Sequence, residues 1–352
     1  MKTANLQIGF TQFVKAVIVS AEYRFSQFQG TDRMNFFFPE PSAVATRPGP
    51  IIEWEETHCH LCGGDQWSPL VEAPDQAAEK EGLWFAVVQC QRCGLCFTNP
   101  RPSPSSIGQF YHADYEPHQP RKLSKQAWFG PPLNSRKRRH RDRRLELPWH
   151  GQGRLLDFGC GRGSFMQRMH ERGWKVTGLD FSARAVHRIQ NHLGLPTLLG
   201  SLPHPELAPK SFDVITMWQS LEHVHHPQEV LRQANDLLVS AGRLFVATPN
   251  IDSQAFRWFG PAWYGLDLPR HLTHFSPVTL QVMIERAGFQ VLSVRMVRHS
   301  SWLRASARLT CRFPSKARWR RLLVNRFVSR LAAWYSYWMG QSDCIVVEAV
   351  KS

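Results

Sequence analysis

Leu155-Leu-Asp-Phe-Gly-Cys-Gly-Arg-Gly-Ser-Phe165 reads as the end of a buried strand, a tight loop and the first turn of a helix. The apolar run stops at Asp157, glycines alternate at 159, 161 and 163, and Phe165, Met166 and Met169 then recur on one helical face. Glycine is required where the chain takes a positive φ or where a ligand lies against bare backbone. The amides that open the helix face whatever such a loop holds. By themselves the glycines fit a dinucleotide, a phosphate or a nucleoside bearing an amino acid.

Three details narrow the choice. The spacing is Gly-x-Gly-x-Gly, not the Gly-x-Gly-x-x-Gly of the dinucleotide fingerprint. Asp157, just ahead of the loop, would repel a pyrophosphate but hold a cationic amino group. A second apolar strand, Lys175–Leu179, ends in Asp180, one strand-helix-strand step further on, where a carboxylate can grip ribose hydroxyls. Further along stand Ser211-Phe-Asp-Val-Ile-Thr-Met-Trp218, Leu221-Glu-His-Val224 with Pro227, and Gly242-Arg-Leu-Phe-Val-Ala-Thr-Pro-Asn250. Pro269-Arg-His-Leu-Thr-His-Phe-Ser276 and Ala287-Gly-Phe289 follow.

On these stretches, roughly residues 150–298 and a terminal strand, the chain resembles the class I S-adenosylmethionine-dependent methyltransferases, in the branch that includes the ubiquinone-type enzymes. The resemblance implies an α/β fold, a Rossmann-like, doubly wound, mostly parallel seven-stranded sheet. It also implies S-adenosylmethionine as cofactor. Asp157 and the loop glycines Gly159, Gly161 and Gly163 would then face its methionine part, with Asp180 and the adjoining Phe181 by the ribose. Ser201 or Leu202 would lie by the adenine, and Trp218 and Gln219 by the methyl sulfonium.

The chain's 352 residues fit about two domains. Forty-three Lys and Arg against 28 Asp and Glu leave a net +15, which favours anionic partners such as a membrane surface or nucleic acid. No apolar run is long enough to span a bilayer. Ile8–Val19 is interrupted by Gln12 and Lys15, which argues against a secretory signal. Eight cysteines, five of them between 59 and 96, do not form a secreted disulfide pattern, and a reducing cytoplasm is expected. Residues 1–50 read as an irregular leader, with Met34 an alternative start.

Cys59-His-Leu-Cys62 and Cys90-Gln-Arg-Cys93 place two thiols on each of two tight turns. Together Cys59, Cys62, Cys90 and Cys93 predict a structural Zn²⁺ site in a zinc-ribbon-like module over 51–118, bridged by a β-ribbon through Leu83–Val88. Cys96 and His60 are spare donors, and reduced, metal-free core cysteines are the alternative. Related methyltransferases carry such a module, followed by segments like Phe97-Thr-Asn-Pro-Arg-Pro102 and Phe110-Tyr111 with Tyr115. Residues 119–150, with the basic run Arg136–Arg144, read as a linker or first helix. The catalytic domain then occupies 151–352.

Methyl transfer to a hydroxyl needs a base to take its proton. His223, His271 and His274 are the candidates, and each could equally serve to pin its loop. Ile251–Phe275 is a long, aromatic-rich connection at the ligand end of the sheet, the usual place for a pocket wall. About residues 300–340 form an insertion with no acidic residue, in which arginines interleave with Trp302, Trp319, Phe327, Trp334 and Trp338. Basic side chains on one helical face and bulky apolar ones on the other predict a helix lying on an anionic membrane, peripheral to the inner surface.

The expected function is transfer of the methyl group of S-adenosylmethionine to a small-molecule acceptor that is quinone-like, lipid-linked or a sugar, by O- or C-methylation. The alternative is an RNA-binding zinc-ribbon protein whose methyltransferase-like domain acts on nucleic acid or is inactive. Trp218-Gln-Ser-Leu221 at the strand exit lacks the Asn-Pro-Pro-Tyr type of tetrad used on bases, which disfavours nucleic acid.

Overall fold

Five parallel strands and two antiparallel partners build the sheet that carries the glycine loop. The computed structural model describes residues 52–76, 83–111, 147–312 and 318–352. The expected leader, Tyr115, the basic run and nearly all of the 119–150 linker lie outside the described residues.

Four strands form first, ahead of the sheet: β1 (Trp54–Glu55), β2 (Trp67–Pro74), β3 (Trp84–Cys90) and β4 (Cys96–Thr98), with β5 (Arg101–Pro102) pairing back on β1. The alternating units follow as β6 (Arg154–Phe158), α1 (Ser164–His170), β7 (Lys175–Asp180), α2 (Ala183–Leu193) and β8 (Thr197–Leu199). Next come β9 (Phe212–Trp218), α3 (Pro227–Leu237), β10 (Leu238–Pro249), α4 (Gln254–Phe259), β11 (Thr273–His274), α5 (Pro277–Arg286) and β12 (Phe289–Val297). Helices α6 (Ser300–Leu309) and α7 (Arg326–Trp338) precede β13 (Cys344–Lys351). The sheet order is β12-β13-β10-β9-β6-β7-β8. The chain runs outward from β6 to β8 and then crosses to β9 on the other side of β6. That reversal opens a crevice beyond the carboxyl ends of β6 and β9, where such sheets bind ligands.

Local chemistry accounts for the helix boundaries. Ser182 caps α2 by accepting from Ala185 N–H, and Gly194 ends it in the left-handed region. Ser276 and Thr279 form a capping box at α5, with Pro277 in the first turn. Gly163 opens α1 at φ 71°, and a Cβ there would lie 2.8 Å from Leu193 Cδ1. Its absence is what lets α1 and α2 close together.

The cysteine-bearing segment shares a sheet with the long connection after β10. The ribbon sheet runs β11-β4-β3-β2, so its fourth strand comes from the connection after β10, with Thr273 opposite Phe97 and His274 opposite Cys96. Its side chains also join the large cores. Leu61, Val88, Leu95 and Phe97 pack with residues of β9, α3 and α5, while Phe85, Val87 and Phe110 pack with Phe259, Trp263 and Leu266 of the long connection. Non-local pairing of this kind leaves no periodic trace in the sequence.

The insertion also departs from expectation. The face of α7 that packs inward is small (Ser329, Ala333 and Ser336), which lets it approach α6, and Arg304 of α6 donates to Ser329 Oγ at 3.1 Å. The bulky residues are not opposite the basic ones. Phe327, Trp334, Tyr337 and Trp338 share the exposed side with Arg326 and Arg330, Trp338 being 82% exposed. Arg298 lies over the Trp334 ring, its Cζ 3.3 Å from the centroid. Among the described residues no helix is long and apolar enough to cross a membrane.

Candidate active site

At the end of β6 the chain turns through Gly159 and Gly161, both at positive φ. Gly161 N–H donates to Asp180 Oδ2 at 2.8 Å, and Ser182 N–H donates to Asp180 Oδ1 at 2.9 Å, so the carboxylate ending β7 fixes the loop and the start of α2 together. A Cβ on Gly159 would come within 2.4 Å of Ser220 Cβ, whereas at Gly161 nothing lies nearer than 4.0 Å. The second glycine therefore leaves backbone bare towards open space, as a cradle for a ligand does.

The crevice is a cavity of about 1970 Å³. That exceeds the roughly 300–1,000 Å³ of an ordinary small-molecule site and gives room for two ligands side by side. Asp157, Gly159, Gly161, Asp180, Phe181, Ser201, Trp218, Gln219, His223 and His271 all line it. Gly163, Leu202 and His274 do not. Gly163 serves helix packing, Leu202 is buried in the core, and His274 sits on β11 with Nε2 3.2 Å from Thr98 Oγ1. Those three stand outside the cavity lining.

Asp157 is 2% exposed and accepts from Thr216 Oγ1 at 2.8 Å. Burial pushes its pKa up to about 7 against the opposing hydroxyl. Trp218 packs edge-on against Phe165, and its indole N–H has no partner among the described residues. Gln219 takes φ 54°, an unusual conformation for a side-chain-bearing residue, at the point where β9 leaves the sheet. Bare glycine backbone, two flanking carboxylates and an unclaimed donor fit an amino-acid-bearing nucleoside.

The imidazoles occupy the far wall. His271 donates from Nδ1 to Gly265 O at 2.9 Å, leaving Nε2 with its lone pair, 3.9 Å from Asp267 Oδ2 and 4.0 Å from Glu222 Oε1. His223 Nδ1 lies 3.0 Å from both Arg270 O and Tyr111 Oη, and the carbonyl requires that Nδ1 carry the proton. The two rings meet edge to face at 4.6 Å. Tyr111 in turn packs on Phe181 at 4.9 Å, joining the two ends of the cavity. Burial holds His223 down to about 3 and His271 down to about 4, so both are neutral near pH 7.

The sequence reading missed Tyr111, Glu222 and Asp267. Glu222 is fully buried with neither oxygen hydrogen-bonded among the described residues, and burial pushes its pKa up to about 8. Its place directly before His223 was a signal, but its burial was not visible in one dimension. Burial raises Asp267 too, but the Arg270 guanidinium outweighs it and holds the carboxyl down to about 2. Among the described residues two groups have donors close enough for a cation: the four cysteine sulfurs, and Glu222 with His223 and His271, each set within 4.8 Å.

These buried groups set a pH profile for the ligand-free protein. His223, His271 and His274 (held near 3 by burial) resist protonation, so their stability contribution is complete above their ordinary 6.5 and is lost as pH falls towards 4–3. Asp157, Glu222 and Asp343 (pushed up by burial to about 7) act oppositely. Their contribution is complete below the ordinary carboxyl range and is lost as pH rises towards 7–8. Each group has a limiting slope of about 1.4 kcal/mol per pH unit, and His60 and His225, which burial also lowers, bring the histidines to five against three carboxyls. Urea midpoints should therefore rise between about pH 4.5 and 6.5 and fall again as pH climbs towards 7–8.

A family model described as a methyltransferase domain matches residues 127–294. The ubiquinone biosynthesis O-methyltransferase of Xanthomonas euvesicatoria pv. vesicatoria is 31% identical over 183 residues, covering 48% of this chain and 74% of its own length. The ubiquinone biosynthesis O-methyltransferase of Aeromonas salmonicida is 30% identical over 159 residues, 42% of this chain and 67% of its own. A solved S-adenosylmethionine-dependent methyltransferase from Mesorhizobium loti overlays on 59% of this chain and 95% of its own at TM-score 0.43 and 20% identity. With relatives matched at this identity over most of their length, and with the sheet order and glycine loop described above, the chain belongs to the class I S-adenosylmethionine-dependent methyltransferases.

Proposed function

We propose that the protein methylates a hydroxyl of a small, quinone-like phenolic acceptor, with His271 as the base. The observation that carries this reading is the His271 ring. Its Nδ1–H is fixed on the Gly265 carbonyl, its Nε2 is proton-free, and two carboxyl groups stand about 4 Å from that nitrogen. A hydroxyl proton passed to Nε2 would leave an imidazolium whose charge Asp267 stabilises. Bound S-adenosylmethionine would supply the methyl group as a sulfonium needing no further activation. What remains to the chain is alignment and exclusion of water: Asp157 and Asp180 hold the cofactor, Trp218 and Gln219 flank the transfer path, and Tyr264 and Trp302 wall the acceptor side. The curated relatives named above, ubiquinone biosynthesis O-methyltransferases, support a quinone-like acceptor.

The test uses radiolabelled S-adenosylmethionine and a long-chain alkylcatechol. His271→Asn should lower kcat by about 10²–10⁴-fold while cofactor affinity, read by calorimetry, is unchanged. Full transfer by that variant would remove the assignment.

Cys59, Cys62, Cys90 and Cys93 are proposed to hold a structural zinc. Sulfurs around a tetrahedral ion with Zn–S of about 2.3 Å stand about 3.8 Å apart. Here Cys59 and Cys93 are 3.3 Å apart and Cys62 and Cys90 3.5 Å, with no disulfide between them. Four protein ligands leave no open position, so the role is structural. The exposed aromatics and arginines of α7 are proposed to rest on an anionic membrane, where such side chains sit at the headgroup level. Trp338 and Tyr337 also line the cavity, so an acceptor dissolved in the bilayer would reach it from that face. Co-sedimentation with phosphatidylglycerol vesicles should be strong for the wild type and fall about tenfold or more for Phe327→Ser/Trp338→Ser, since each buried aromatic contributes about 1.5–3 kcal/mol. Equal binding by the variant would exclude α7 as the contact.

A further inference from the structure

Arg101 belongs to the cysteine-bearing segment, lies outside the cavity lining, and is 1% exposed. A guanidinium buried this far is retained only where its donors are taken up. Each nitrogen of Arg101 has a partner. Nε donates to Glu55 Oε1 at 2.7 Å, Nη1 to His60 Nε2 at 2.7 Å, and Nη2 to the backbone carbonyl of His225 at 3.2 Å. His60 stands inside the first Cys-x-x-Cys turn, and His225 ends the loop that carries Glu222 and His223. His225 returns the contact, its Nε2 lying 3.0 Å from Pro102 O. One side chain thus links the thiol knuckle to the wall of the methyl-transfer site, and Val224 and His225 line that wall.

A second set of contacts fixes the other half of the same wall. Thr98 Oγ1 donates to His271 O at 2.8 Å, Thr98 N–H donates to Leu272 O, and Leu272 N–H donates to Glu222 O. The loop with Glu222 and His223 and the segment with His271 are therefore both clamped from the ribbon side. Neither clamp touches the glycine loop or Asp180.

We infer that Arg101 is a positioning residue for methyl transfer: by holding the His225 carbonyl and His60 at once, it makes the ribbon the template on which the His223–His271 wall is set. The inference rests on the proposed role of that wall. It predicts a division of labour, in which β6 and β7 bind the cofactor and the ribbon aligns the acceptor side. Misplacement of a reacting group by about 1 Å costs about 10²-fold in rate.

Arg101→Met keeps the stem and removes all three links. Arg101→Lys keeps the charge but cannot satisfy three diverging acceptors, and is the milder variant should Arg101→Met fold poorly. With S-adenosylmethionine and a long-chain alkylcatechol, kcat should fall about 10²-fold for Arg101→Met and less for Arg101→Lys. Cofactor affinity by calorimetry and the zinc content should match the wild type. The His223 ring resonances, followed by NMR with histidine-selective labelling at neutral pH, should shift in both variants. A residue that only stabilises the ribbon would lower the melting temperature and leave that ring unmoved. Unchanged kcat and unchanged His223 resonances in both variants would overturn the inference. Should His271→Asn retain full transfer, the base assignment falls instead, and the His223 resonances still decide whether Arg101 sets the wall.

Discussion

Asp180→Ala should raise the dissociation constant of S-adenosylmethionine by about 10²–10⁴-fold, measured by titration calorimetry. The proposed ribose grip consists of hydrogen bonds to a charged acceptor, each worth about 1.5–3 kcal/mol, and two of them span that range at 1.4 kcal/mol per tenfold. The structure adds a second reason. Both Asp180 oxygens already accept backbone amides, one from Gly161 and one from Ser182, so the alanine variant frees the glycine loop and the start of α2 as well. Asp180→Asn separates the two effects. The amide can still accept one of these bonds but turns its NH2 towards the other amide and offers no charge, so it should lose most of the affinity while retaining one of the two anchors. An alanine variant that binds as tightly as the wild type would mean that the crevice holds its cofactor some other way.

The cofactor side of this site was legible because its signals are local. Gly-x-Gly-x-Gly between Asp157 and a helix start, and a second strand closing on Asp180, each lie within one strand-loop-helix unit, where periodicity and glycine chemistry speak directly. Lys175–Leu179, read as a strand closing on Asp180, is strand β7 (Lys175–Asp180) for that reason. The acceptor side was legible only in part. His271 and His274 stand three residues apart in one polar stretch, and only the pairing of β11 with β4 turns His274 towards Thr98 and leaves His271 at the cavity. Tyr111 and Arg101 act across the gap between ribbon and sheet, contacting His223 and His225 more than a hundred positions away. Nothing in composition or spacing announces such partners. In α7 the pattern was misread because Ser329, Ala333 and Ser336 form its packing face. Small residues allow close helix contact, yet on a polarity scale they look like the wet side.

Removing the proposed zinc should have the largest effect on stability. One zinc per chain is expected in reduced protein, and chelation, or Cys59→Ser, should lower the melting temperature by about 10 °C or more. Structural zinc contributes about 10–16 kcal/mol in isolated fingers, and retention of less than half of that here would still reach such a shift, at about 2–4 °C per kcal/mol for a domain of this size. The loss cannot stay within the ribbon. Cys59, Leu61 and Cys90 share a core with α3 and α5, Arg286 of α5 donates to the Leu61 carbonyl, and β4 carries β11. Without the metal, burial presses the Cys59 thiol well above its ordinary range, and its neutral form leaves the four sulfurs with nothing to draw them together. Leu156, Phe158 and Leu179 of β6 and β7 share that core, but the glycine loop and Asp180 that form the cofactor crevice take part in none of the hydrogen bonds and strand pairings just named. Demetallated protein below its melting temperature should therefore still bind S-adenosylmethionine while transfer to the alkylcatechol collapses. A metal-free protein that melts at the original temperature and transfers methyl at the original rate would show that the four thiols are no more than a reduced corner of the core.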